Sequence, residues 1–305
     1  MAPKKKQKSD GADAEATAKR KQEARQAMRS ICESSPLLPP AASIHVETKP
    51  ENAERPIHRI VRPSQALMRR LGSPARVIGI DIETHDFDPH ERARARYGQF
   101  AWYTLKDRSV IERTRLVQIG WATGPADATA PSTTKSFFVQ PSGFEVAERI
   151  ETWSEGKITH AIATEKGRPL AEVLQEFMVD IMDEYARGAR VVSHHFEYDA
   201  GIILCELERA GLRDLSERWL SIGRSVGYCT MNYEAGRWLL LCEGMVGKGL
   251  TWKPCLALST VVSKLFPNEK EELLAEHHEA GADAKLARLV YLTLVDRTKV
   301  AAATT

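Results

Sequence analysis

Two carboxylates, Asp81 and Glu83, lie two positions apart in the apolar run Val77-Ile78-Gly79-Ile80-Asp81-Ile82-Glu83. A run of that composition reads as a central strand, and side chains alternate faces along a strand, so both acids project to the same side. An ionised carboxylate there is costly unless it is paired or bound to a cation; at an exposed strand end the same pair would be ordinary surface. A third acid, Asp199, ends the segment Ser193-His194-His195-Phe196-Glu197-Tyr198-Asp199, and a fourth, Asp283, ends His278-Glu279-Ala280-Gly281-Ala282-Asp283. Taken singly, each is an acid of the kind a helix start favours. Taken together, four hard oxygen donors suit Mg²⁺ or Mn²⁺ and can hold two such ions. The paired histidines His194-His195 and His277-His278 raise a zinc or iron site as an alternative. Adjacent residues point in different directions and lack i, i+4 helical geometry, which argues against it.

The order is Asp-x-Glu on a first strand, Asp at a strand-to-helix junction, then His-x-Ala-x-x-Asp opening a final helix. In this the sequence resembles the DEDDh branch of the DEDD exonuclease superfamily over about Arg76 to Thr298. The second motif of that family reads His-Asn-x-x-aromatic-Asp; His194, Tyr198 and Asp199 match its first, fifth and sixth positions, while His195 stands in place of the asparagine. Softer echoes are Phe138-Val139-Gln140-Pro141 and Thr159-His160-Ala161-Ile162.

The resemblance implies a ribonuclease-H-like fold and stepwise hydrolysis of phosphodiester bonds from the 3′ end of single-stranded RNA or DNA, releasing nucleoside 5′-monophosphates. It implies that Asp81 bridges two divalent cations and that Glu83, Asp199 and Asp283 complete their shells. One ion activates the attacking water and the other stabilises the leaving 3′ oxygen. His278, five residues before Asp283, is the implied general base, an imidazole being suited to proton transfer near neutral pH. The spacing favours it over the adjacent His277. Glu279 occupies the position where the tyrosine-type branch carries its Tyr. Thr84 and His85 are expected to line the terminal-nucleotide pocket, with His160, His194 and Tyr198 as further substrate contacts. A different class of function, an inactive nucleic-acid-binding adaptor, would be marked by loss of an acid or the histidine, and none is missing.

Positioning these residues requires strands at 77–83, Leu116 to Ala122, Ser136 to Val139 and 190–192. It also requires helices over Pro169 to Tyr185, Asp199 to Ala210, Leu256 to Phe266 and Ala282 to about Thr298. Strands first, then alternating strands and helices, predict an α/β domain over 73–300: a mixed sheet flanked by helices. Residues 1–72 read as a disordered basic extension with a short helix at about Ala14 to Cys32, and 301–305 as a C-terminal tail. The extension carries 15 Lys/Arg against 8 Asp/Glu, leaving 28 against 33 for the rest, so a basic tail precedes a mildly acidic body. Such a tail adds sequence-independent phosphate affinity.

Five cysteines, odd in number and without a C-x-x-C pair, argue against a disulfide framework and a cysteine zinc site. No apolar run is long enough for a membrane span and no secretory signal is seen. An intracellular place is expected, nuclear or cytoplasmic, with Lys4-Lys5-Lys6-Gln7-Lys8 favouring the nucleus. Two segments add candidate strand contacts. The stretch 85–115 mixes Arg92, Arg94 and Arg96 with Tyr97, Phe100, Trp102 and Tyr103, and 238–252 carries glycines 244, 247 and 249.

Overall fold

The structure, a computed structural model, describes residues 68–85 (apart from 70), 113–231 and 257–303. The expected N-terminal extension, all but its last few residues, with its lysine cluster and short helix, the arginine- and aromatic-rich segment 86–112 and the glycine-bearing loop 238–252 lie outside these residues.

Five strands form one mixed sheet: β1 (Arg76–His85), β2 (Arg115–Pro125), β3 (Thr133–Phe138), β4 (Ala189–Ser193) and β5 (Gly227–Cys229). Their order is β3-β2-β1-β4-β5. The first three make an antiparallel meander, and β4 and β5 run parallel to β1. Around the sheet lie α1 (Glu148–Trp153), α2 (His160–Lys166), α3 (Leu170–Ala186), α4 (Phe196–Arg209), α5 (Arg213–Val226), α6 (Leu258–Leu265), α7 (Lys270–Leu273) and α8 (Ala280–Ala303). This is the expected ribonuclease-H-like α/β architecture. No helix among the described residues is long and apolar enough to cross a membrane.

The alternation of β1 separates structure from chemistry. Ile78, Ile80 and Ile82 enter a core with Trp121 of β2, Phe177 and Ile181 of α3, Ile203 of α4 and Trp219 of α5. Val77 enters the opposite core with Val192, Val262 of α6, and Leu286, Val290 and Tyr291 of α8. Gly79, Asp81 and Glu83 continue that second face, so the acids point toward α8. The helix lies close because glycine permits it. A methyl group at Gly79 would overlap the Ala284 carbonyl, and one at Gly120 would overlap the Ala280–Gly281 peptide. Gly120 is the ladder partner of Asp81, which leaves the carboxylate uncovered beside the first turn of α8.

Several boundaries differ from expectation. α4 starts at Phe196 rather than Asp199, because the His195 carbonyl already accepts the N–H groups of Tyr198 (2.8 Å) and Asp199 (3.2 Å). α8 starts at Ala280, whose N–H donates to Gln118 Oε1 at 3.1 Å, and it runs through Ala303, past the expected end of the domain. Its last residues are alanines, the strongest helix formers. The sequence reading did not place α1, α2, α5, α7 or β5. Of α5's fourteen residues only Ser216, Trp219 and Ile222 are buried, and β5 is three residues long.

Candidate metal centre and its surroundings

Donor atoms of Asp81, Glu83 and Asp283 lie within 4.8 Å of one another. The first two are set by the strand alternation, and the third sits in the first turn of α8. Glu83 and Asp283 are each 5% exposed. Burial, and then the carboxylates of Asp283, Asp199, Glu83 and Glu279, push Asp81 well above the ordinary carboxylate range. Burial, Asp283, Asp199 and Glu279 do the same to Glu83. Among the described residues, every charge that shifts these two groups is negative. An all-oxygen donor set in which Asp81 and Glu83 are shifted, among the described residues, by carboxylates alone fits a divalent metal ion.

Asp199, in the first turn of α4, stands beside this trio rather than in it. Its charge acts on Asp81 and Glu83, and Ser193 Oγ at the end of β4 donates to its Oδ2. Burial, followed by the charge of Glu197, raises its own carboxyl well above the usual range.

The histidine pair precedes α8. Nδ1 of His277 lies 2.8 Å from Asp283 Oδ1, and the backbone N–H of His278 donates to Asp283 Oδ2 at 3.3 Å. His278 adopts a left-handed backbone, φ 68°, a conformation that costs a non-glycine residue on the order of 1–3 kcal/mol. That turn folds its ring back onto His277, with centroids 3.8 Å apart and planes 28° apart. The adjacent side chains therefore converge, contrary to the expectation that neighbours diverge. Trp153 of α1 lies against the His278 ring, centroids again 3.8 Å apart, while the indole is half exposed. Burial, and then His277, lower the His278 imidazole to about 4, with Lys157 adding to the shift and Asp283 opposing it. The ring is thus unprotonated at neutral pH and able to accept a proton.

The other expected contacts split into two groups. Thr84 Oγ1 and Tyr198 Oη are 2.7 Å apart, joining β1 to α4 just past a register shift between Glu83 and Thr84. Such a bulge re-aims the side chains that follow it. His160 Nδ1 accepts from the Val146 N–H (3.3 Å) and His85 Nδ1 from the Ala147 N–H (3.2 Å). Two histidines from distant elements thus clasp one segment, each with Nε2 as the donor nitrogen. His194 is turned toward β5, its Nδ1 3.0 Å from Thr230 Oγ1. His195, the departure from the family motif, has its ring parallel to Tyr198 at 5.5 Å and 13°.

Sequence reasoning missed the groups that brace this centre. Gln118 of β2 holds Ala280 N–H and donates from Nε2 to Glu279 Oε1 at 2.9 Å. Ser136 Oγ donates to the same Glu279 oxygen, and Lys157 Nζ donates to the His277 carbonyl at 2.6 Å. The signal for Gln118 was present: an amide in the apolar strand Leu116-Val117-Gln118-Ile119 requires a buried partner.

No protein-family profile matches the chain. No curated protein matches it either. Solved structures do. Exonuclease I from E. coli in complex with a dT13 oligonucleotide superposes with a TM-score of 0.54 at 12% identity, over 75% of this chain and 43% of that one. A second exonuclease I structure gives 0.52 at 12% identity over the same shares. The chain thus spans less than half the length of those proteins. The RNase domain of yeast Pop2 aligns at 16% identity over 81% of this chain and 90% of that domain, with a TM-score of 0.48. The fold is that of solved exonucleases.

Proposed function

We propose that this chain, built on an exonuclease fold, is a metal-dependent 3′→5′ exonuclease acting on single-stranded nucleic acid. The observation that carries the reading is the trio Asp81, Glu83 and Asp283, with Asp199 beside it and, among the described residues, only carboxylates shifting Asp81 and Glu83. Two divalent cations, Mg²⁺ or Mn²⁺, bound to these four acids would activate the attacking water and neutralise charge developing at phosphorus and on the leaving 3′ oxygen. The chain's own residues do the rest. His278 accepts the water's proton, for which its lowered basicity keeps it ready at neutral pH. Thr84 and Tyr198, joined by a hydrogen bond between β1 and α4, would shape the terminal-nucleotide pocket. His85 and His160, which fix the segment 146–147, would contribute further substrate contacts. The structural likeness to a protein solved with a dT13 oligonucleotide supports a single strand as substrate.

A gel time course with matched 5′-labelled single-stranded RNA and DNA, in Mg²⁺, in Mn²⁺ and in chelator, tests the proposal. Stepwise 3′ shortening that stops with chelator is expected, and the faster substrate assigns the sugar preference. In the same assay His278→Ala should slow shortening by on the order of a hundredfold. Binding without shortening of either oligonucleotide would replace the enzyme with a nucleic-acid-binding adaptor.

A further inference from the structure

We infer that His277, His278 and Asp283 form a second metal site, one that takes a nitrogen-preferring cation of the Zn²⁺ class and shares Asp283 with the carboxylate cluster. One ligand nitrogen from each ring and a carboxylate oxygen of Asp283 lie within 4.8 Å of one another. Donors around a tetrahedral ion with bonds of about 2 Å stand roughly 3.3 Å apart, so modest side-chain rotations complete the shell. The left-handed turn at His278 is what brings the two rings together.

A separate observation points the same way. Nδ1 of His278 is buried and has no hydrogen-bond partner among the described residues, an arrangement that is costly unless something binds there. The frame is held from three sides: Lys157 fixes the His277 carbonyl, Gln118 and Ser136 fix Glu279, and Trp153 covers the His278 ring. The other adjacent pair is a contrast, since His194 turns to Thr230 and His195 to Tyr198. Two imidazoles and one carboxylate leave a fourth position open, the pattern of an exchangeable rather than a closed structural zinc site. Because Asp283 serves both sites, Zn²⁺ held here competes with Mg²⁺ or Mn²⁺ for the carboxylate cluster. The ligation itself does not depend on the nuclease reading.

The test uses the full chain stripped with chelator and Zn²⁺ alone. X-ray absorption at the zinc edge of the unaltered protein should show two imidazole ligands, a readout that needs no variant to fold. Calorimetric titration should show His277→Ala and His278→Ala each weakening Zn²⁺ by on the order of a hundredfold while retaining Mn²⁺. Asp81→Asn should do the reverse. No measurable Zn²⁺ binding, a zinc shell without imidazole, or equal loss of Zn²⁺ in Asp81→Asn and His277→Ala would overturn the site. A protein that binds Zn²⁺ through both histidines yet shortens no oligonucleotide would sink the exonuclease proposal and leave this one standing.

Discussion

Asp81 is burdened by four other carboxylates, and every one of them raises its proton affinity. A carboxyl whose folded-state pKa lies above its unfolded value contributes stability below the ordinary carboxylate range, and that contribution is lost as pH rises. At neutral pH the metal-free cluster therefore works against the fold. Asp81→Asn should abolish hydrolysis yet raise the metal-free unfolding midpoint at pH 7 by about 2–4 °C, the shift that about 1 kcal/mol produces in a domain of this size. A thermal melt with and without Mn²⁺ checks this, and the gain should disappear when Mn²⁺ is present. Asp81, Glu83 and Asp283 were readable from the sequence because strand alternation and the first turn of a helix are local rules. Glu279 and Gln118 were not. Their meaning arises only when β2 and α8 meet, and the direction of the His278 ring depends on a positive φ that residue type does not announce.

The close seat of the first turn of α8 depends on Gly79 and Gly120, where a methyl group would overlap its backbone. Gly120→Ala should drive the Ala280–Gly281 peptide off β2, costing about 1–3 kcal/mol as overpacking does. Asp283 would move with the helix. Mn²⁺ affinity measured by titration should drop by about tenfold or more, while Ala at the solvent-facing Gly188 of the α3–β4 turn, strained locally by its φ of 78° but with nothing within 4 Å, would leave it unchanged. Unaltered Mn²⁺ binding in Gly120→Ala would show that α8 is not set by this contact. Long elements with clear periodicity, such as β1, β2 and α3, were visible in the sequence. The short α1, which supplies Trp153, was not, because six residues with one buried position carry too little pattern to separate from a loop.

At the scale of the molecule, the beginning and end of the described domain are tied together at Leu71. Its carbonyl accepts from Tyr291 Oη of α8 and from Arg190 Nη1 of β4. Burial pushes the Tyr291 phenol up to about 12 from an ordinary 10.0. The proton is bound more tightly in the folded state, so this stabilisation is complete below pH 10 and is lost as pH rises toward 12. It amounts to about 2–3 kcal/mol. Denaturant titrations across that range should show an alkaline decline that Tyr291→Phe removes.

The α/β class and the mixed sheet followed from pattern, whereas the Tyr291 tie joins residues too far apart in the chain for any local rule to pair. The same remoteness governs when the acidic centre comes into being. α8 brings both Asp283 and the backbone that seats against β1 and β2, and it is the last of the described elements to be synthesised. A growing chain that has already paired its strands still lacks Asp283, His277 and His278. Until the first turn of α8 has been made, the acidic cluster is incomplete.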